Sequence, residues 1–268
     1  MGIEFLQNHI ALASSNEISN ICAPLSKLGI NYFSFVRSFK DGSHVRLSNN
    51  PAWTQHYYLR GFYNIVIKQI PDLEGNILWS CIDKFPLFHE ASEYFNVDNG
   101  TVMIVTIDDI VERYFFGSTR ENKQVNYIYL NQTDLLKKFI LYFKETAKKI
   151  IDLSEKSKII IPRNEPEKKD EQFYCDSLIE EFLNEIKVNK VCIRAYGKDI
   201  YISSNEAKIL SLMKFGCTAK EISKVIGLKR KTIEIYRDKL KSKLDQYTRG
   251  NLTSLANSNS LLDINLLK

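Results

Sequence analysis

The chain has 268 residues, of which 44% are apolar and 26% charged, with a net charge of +5. That is enough apolar residue to fill two cores, in a chain longer than one ordinary domain. No stretch has the uninterrupted apolar length of a membrane span, and the first twenty residues lack the basic start and apolar run of a signal peptide, so a cytoplasmic protein without a membrane partner is expected.

In chain order, Asn8–Leu28 reads as a helix ending near Gly29. Ile30–Phe39 alternates aromatic and polar residues as a strand does, Asp41-Gly42 is a hairpin turn, and Ser43–Leu47 returns. Pro51 starts a helix that runs to about Arg60. Ile77–Cys81 reads as a short strand or loop and Phe85–Phe95 as a helix. Thr101–Thr106 and Val111–Ser118 read as strands turning at Asp108-Asp109. Thr133–Lys158 is one long amphipathic helix with Leu135, Leu136, Phe139, Ile140, Phe143, Ala147, Ile150 and Ile151 in its stripe. That order suits an antiparallel sheet with helices on both faces, an α/β/α sandwich.

Composition changes sharply at Pro162–Glu171, which is polar throughout and carries two prolines. Residues 1–161 are therefore expected to be one domain and 162–172 a linker. Phe173–Ile186 is again amphipathic, and Val191–Ile202 suggests a small hairpin turning at Gly197-Lys198-Asp199. These make residues 173–202 a connecting helix and hairpin, followed by an all-α domain over 203–268. The fold class expected is thus α+β.

Ser203–Leu244 holds three apolar-periodic segments separated by two breaks. The first is Glu206–Phe215. The second, Ala219–Ile226, places Ala219, Ile222, Val225 and Ile226 on one face, with Gly227 ending it. Thr218 followed by Glu221 has the spacing of a capping box. The third, Lys229–Leu244, carries Ile233, Tyr236, Leu240 and Leu244 as one stripe and seven Lys or Arg residues. This is the sequence form of a helix-turn-helix whose last helix enters a DNA major groove. From Lys190 to Arg249 there are 15 Lys/Arg against 6 Asp/Glu, so the remainder of the chain is net acidic. A basic module beside a slightly acidic domain is the footprint of nucleic-acid binding, with phosphate contacts driven by counterion release.

These residues resemble the LuxR-type (NarL/FixJ-like) DNA-binding domain over Ile202–Arg249. The likeness is carried by Ile202-Ser203, Glu206, Ile209-Leu210, Gly216 to Ile222, Ile226-Gly227-Leu228, Lys231-Thr232-Ile233, Tyr236 and Lys243-Leu244. The chain departs from the family at Lys229, where a serine or threonine is usual, at Glu234 and Asp238, where lysine is common, and at Asp245. The resemblance implies double-stranded DNA as partner and a homodimer on a pseudo-palindromic site. Thr218, Lys220, Lys229, Arg230, Lys231, Thr232, Ile235, Arg237, Lys239 and Lys241 are the expected DNA-facing residues. Ile233, Tyr236 and Leu240 pack inward. Thr248–Leu262 fits the family's fourth helix.

The segment Asn50–Phe62 resembles the autoinducer-binding domain that precedes this module in one branch of the family. Trp53 and Tyr57 match positions that bind the acyl-homoserine lactone, and Trp79 resembles a further tryptophan. The resemblance implies a small-molecule signal held by Trp53, Tyr57 and Trp79. Aromatics at helical spacing serve equally as plain core. Where the family has an aspartate for the ligand's amide, this chain has Val66, which accepts no hydrogen bond. A standard acyl-homoserine lactone is therefore not expected, and a ligand-independent regulator or antagonist acting through dimerisation stays open.

Five scattered cysteines form neither a disulfide framework nor a metal pair, and four histidines have no ligand spacing. Asp108-Asp109 sits too close to the linker for a phospho-receiver. No nucleophile motif, phosphate loop or dinucleotide fingerprint occurs, so no enzyme, metal or cofactor is expected.

Overall fold

The computed structural model describes residues 8–70, 74–160, 176–186, 189–195, 198–245 and 252. The chain divides into two compact units between Glu171 and Gln172. The expected linker at 162–172 and Cys175 lie outside the described residues, as does the expected fourth helix apart from Leu252.

The first unit opens with helices α1 (Ile10–Ala13) and α2 (Ser15–Cys22) and a 3-10 segment at Ala23–Leu28, ended by Gly29 at φ 73°. Strands β1 (Tyr32–Phe39) and β2 (Ser43–Ser48) form the expected hairpin. Helix α3 (Pro51–Leu59) starts with the Asn50 side chain accepting from the Trp53 N–H at 2.9 Å, so its cap is an asparagine followed by proline. Then come α4 (Tyr63–Lys68), β3 (Gly75–Leu78), a 3-10 turn at Trp79–Cys81, and α5 (Pro86–Phe95). Strands β4 (Asp98–Ile107) and β5 (Ile110–Ser118) pair across Asp108-Asp109, which is a hairpin turn. Helices α6 (Asn126–Asn131), α7 (Thr133–Thr146) and α8 (Lys148–Glu155) precede β6 (Ile159–Ile160).

Six strands make one antiparallel sheet in the order β3-β4-β5-β1-β2-β6. Alternation along each strand sends side chains to two covered faces. One face carries Phe33, Phe35, Leu47, Tyr114 and Phe116 and packs under α2 and α6–α8, with the Phe33 ring 4.8 Å from that of Phe143. The other carries Tyr32, Val36, Val102, Ile104 and Phe115 and packs under α1 and α3–α5. The expected α/β/α sandwich is present.

Three local expectations are corrected. The long helix breaks at Ala147 (φ −87°, ψ 6°), giving α7 and α8. Leu135 leaves the apolar stripe and is exposed, because at about 100° per residue it falls on the flank of Leu136, Phe139, Ile140 and Phe143. The short helices α4 and α6 and strand β6 were not foreseen, being too brief to show a period.

The second unit contains α9 (Asp176–Glu185), β7 (Lys190–Ala195), β8 (Lys198–Ser203), α10 (Ser204–Lys214), α11 (Ala219–Ile226) and α12 (Arg230–Asp245). The hairpin turns earlier than expected, since Lys198 and Asp199 already pair with Ala195 and Arg194. Ile193 and Ile202 of this hairpin are fully buried in the same core as Ile209, Ile222, Ile233 and Leu240, so β7 and β8 are part of the helical module's packing.

Candidate nucleic-acid interface and buried cavity

The helix-turn-helix is fixed by two reciprocal caps. The Ser203 hydroxyl accepts from the Glu206 N–H at 3.3 Å while Glu206 Oε2 accepts from the Ser203 N–H at 2.7 Å. Thr218 and Glu221 repeat the arrangement at the start of α11, at 3.4 and 2.7 Å. Burial works against ionisation of Glu206, but donors from Lys243 and Ser203 hold its carboxyl below the usual range. Gly227 closes α11 at φ 76°, a left-handed turn in which its N–H reaches the Ser223 carbonyl at 3.0 Å.

Ile233 and Leu240 are fully buried and Tyr236 packs at the edge, which fixes the rotation of α12; the side chain of Leu244 is outside those described. At about 100° per residue, Lys231, Ile235, Asp238 and Ser242 then point away from the core, with Thr232 and Lys239 on one flank and Glu234 and Lys241 on the other. Lys231, Ile235, Lys239 and Lys241 are exposed accordingly, as are Lys229 and Arg230 at the start of the helix and Thr218 and Lys220 at the start of α11. Arg237 stands apart: it lies beside the core stripe, half-buried, with its Nε enclosed and unbonded. Arg230 is shared with Glu234 at 2.9 Å. Val225, expected on the inner face of α11, is 60% exposed; Ala219, Ile222 and Ile226 make that face without it.

In the first unit Trp53, Tyr57 and Trp79 do converge. With Tyr32, Arg46, Val66, Leu87, Phe88, Ala91 and Phe115 they line one cavity of about 10 Å³, room for little more than a single water. Trp79 lies over Gly100, where a Cβ would stand 2.4 Å from the indole, so the close approach requires glycine there. Arg46 lies above the Tyr57 ring, 4.0 Å from Cζ to centroid, and donates from Nη2 to Tyr32 Oη at 2.7 Å. Trp79 Nε1 is buried without a hydrogen-bond partner, and the buried Tyr57 hydroxyl lies near the Arg46 guanidinium without a well-aligned bond to it. Burial raises the Tyr57 and Tyr58 hydroxyl pKa values. His44, two residues before Arg46 on the same strand, is pushed down to about 4 by burial and by the Arg46 charge.

Sequence reasoning missed Tyr32, Arg46, Phe88 and Phe115. The available signal was the sandwich itself: if both faces of β2 are covered, His44 and Arg46 are enclosed as surely as Val45 and Leu47. No cluster of metal-ligating residues occurs among the described residues, and no described helix is long and apolar enough to cross a membrane.

The chain is similar over nearly its whole length to two solved structures of SdiA. The Escherichia coli structure has 14% identity, covering 98% of this chain and 94% of the other, with a TM-score of 0.41. SdiA in complex with octanoyl-rac-glycerol has 13% identity, covering 97% and 93%, with a TM-score of 0.37. The N-acylhomoserine-lactone-dependent factor CepR2 from Burkholderia cenocepacia shares 12% identity, covering 57% of this chain and 96% of its own, also at a TM-score of 0.37. No curated protein sequence matches the chain. The profile of the bacterial regulatory proteins of the luxR family matches residues 201–256, which begin in β8 and take in both capping boxes and all of α12. Over residues 201–256 the chain thus matches the luxR family of bacterial regulatory proteins.

Proposed function

We propose that the protein is a DNA-binding transcription regulator that works as a homodimer and is gated by a small molecule in the N-terminal cavity. The observation that carries this reading is the rotation of α12, which buries Ile233 and Leu240 and turns Lys231, Ile235 and Lys239 outward. Two such helices, one per protomer, enter successive major-groove faces of a pseudo-palindromic site. Thr218, Lys220, Lys229, Arg230, Lys231, Thr232 and Lys241 hold phosphates, and Ile235 meets base edges or a thymine methyl. Asp238, on the outward face, accepts from cytosine N4.

The ligand is not a standard acyl-homoserine lactone. Val66 is buried in the cavity wall and offers no acceptor for an amide N–H. A second reading, a ligand-independent regulator or antagonist that acts by dimerisation, is favoured by one observation: the cavity is nearly filled by its own aromatic side chains. Selection of bound duplexes from a randomised pool, followed by affinity measurement against salt, tests the DNA reading. A sequence-specific duplex with a steep salt slope is the expected result; salt-insensitive or absent binding counts against it.

A further inference from the structure

We propose that the N-terminal cavity is built for a small amphipathic carboxylate, with Arg46 as its anchor; this deepens the ligand-gated reading above and rests on it. Arg46 is only 3% exposed, yet its guanidinium donates to Tyr32 and otherwise stacks on Tyr57. Its Nε is buried without a partner, and no carboxylate meets it among the described residues. On the opposite face of the same sheet the partly buried Arg37 is held by both Glu112 and Glu155. A cation removed from water without a counter-charge is costly, so a side chain kept in that state points to a charge supplied from outside.

The polarity of the wall agrees. The buried polar atoms of this wall that make no well-aligned hydrogen bond are Arg46 Nε, Trp79 Nε1 and the Tyr57 hydroxyl, which lies near Arg46, and each can donate. Tyr32 accepts from Arg46, which leaves its own proton to give. Val66 adds no acceptor. A ligand group that satisfies this set is rich in acceptor oxygens and negatively charged, and a carboxylate matches the planar fork of a guanidinium with two parallel bonds. The rest of the wall, Trp53, Leu87, Phe88 and Phe115, receives an apolar body. The cavity of about 10 Å³ is closed around the guanidinium, so the wall parts on binding.

The chain's two tryptophans, Trp53 and Trp79, both line this cavity, so intrinsic fluorescence reports on it directly. The test titrates the full chain, near neutral pH, with octanoate and with 3-phenylpropionate, each beside its primary amide. The expected result is saturable quenching or shift with at least one acid, about tenfold or more tighter than its amide. Arg46→Met abolishes that preference, and Arg46→Lys, which keeps the charge but not the fork, retains part of it. Amides binding as tightly as acids, an Arg46→Met variant that binds acids like the parent, or no response to either acid overturns the proposal. Gel shifts on the same preparations separate the two levels. A chain that binds DNA without carboxylate preference loses the carboxylate and keeps the regulator; one that binds the acid but no DNA keeps the carboxylate site and loses the regulator.

Discussion

The Lys243 ammonium lies 2.9 Å from both carboxylate oxygens of Glu206, tying the last turn of α12 to the first turn of α10. Glu206 is at the same time the return half of the Ser203 capping box. One carboxylate therefore holds a helix start and clamps α12 against it. Glu206→Ala is expected to destabilise the C-terminal module by about 1–3 kcal/mol, read as a lower thermal midpoint by circular dichroism. Lys243→Met is expected to lower the midpoint less, Lys243 being half-exposed, and to leave the salt slope of DNA binding unchanged. A reduced slope would place Lys243 on phosphate instead.

Neighbouring positions on α12 are expected to separate folding from recognition. Ile233 is fully buried, whereas Ile235 is 48% exposed. Ile233→Ala is expected to cost about 2–5 kcal/mol of module stability. Ile235→Ala is expected to leave the thermal midpoint within about 0.5 kcal/mol while relaxing sequence preference. Exchanging Lys231 or Lys241 for Glu weakens binding to all duplexes and flattens the salt dependence, by about one unit of slope for each phosphate left without its cation. Unchanged binding by both variants refutes the phosphate assignment.

On the sheet face under α7 and α8, Glu112 is almost wholly buried and accepts from Arg37, Lys144 and Tyr114, with Lys144 Nζ at 3.0 Å and Tyr114 Oη at 2.5 Å. Burial pushes its pKa up, but these donors win and hold it below the usual carboxylate range. Glu112→Ala strands three donors and is expected to cost about 3–5 kcal/mol. Glu112→Gln, which still accepts from Tyr114, is expected to cost less. Urea unfolding of the two variants side by side checks the order.

His44 gives the N-terminal unit a pH dependence of defined sign. Its folded pKa is pushed down to about 4, first by burial beside the Tyr58 and Tyr63 rings and then by the Arg46 charge. The unfolded imidazole titrates near 6.5, so between those values the unfolded chain binds the extra proton. The stability contributed by neutral His44 is complete above about pH 6.5 and is lost as pH falls toward 4, about 3 kcal/mol in all. His44→Phe is expected to flatten the thermal midpoint between pH 6.5 and 4.5. An unchanged slope in the variant would assign the dependence elsewhere.

Gly100 tests whether the indole position shapes the cavity. A Cβ there meets the Trp79 ring at 2.4 Å and the Phe116 carbonyl at 2.5 Å, and backbone does not yield. Gly100→Ala is expected to displace Trp79, visible as a red-shifted tryptophan emission, and to destabilise the unit by about 1–3 kcal/mol.

Much of this was legible from residues alone, and the failures have physical causes. The hairpin at Asp41-Gly42, the Asp108-Asp109 turn and the three helix-turn-helix segments each carry strong local chemistry that tertiary packing did not override. Ser203 and Glu206 had the same capping spacing as Thr218 and Glu221, but the Ser203 box hid beside the strand that precedes it. Val225 and Leu135 were misplaced because a stripe drawn from apolarity alone is wider than the face a neighbour covers. Trp53, Tyr57 and Trp79 were found together in one wall, yet their sequence said nothing of how little space they leave. Arg46 was invisible for a different reason: in isolation a polar position on an alternating strand reads as solvent-facing, and only a second layer of helices makes it an interior charge.

Strand β6 is only two residues long, and its partners are Ser43 and His44 of β2, the strand that also carries Arg46. The last described stretch of the N-terminal unit is thus zipped to the same ribbon that holds the buried cation. With only two rungs to lose, β6 is the part of this sheet expected to fray first, and its supporting strand is the one that carries Arg46.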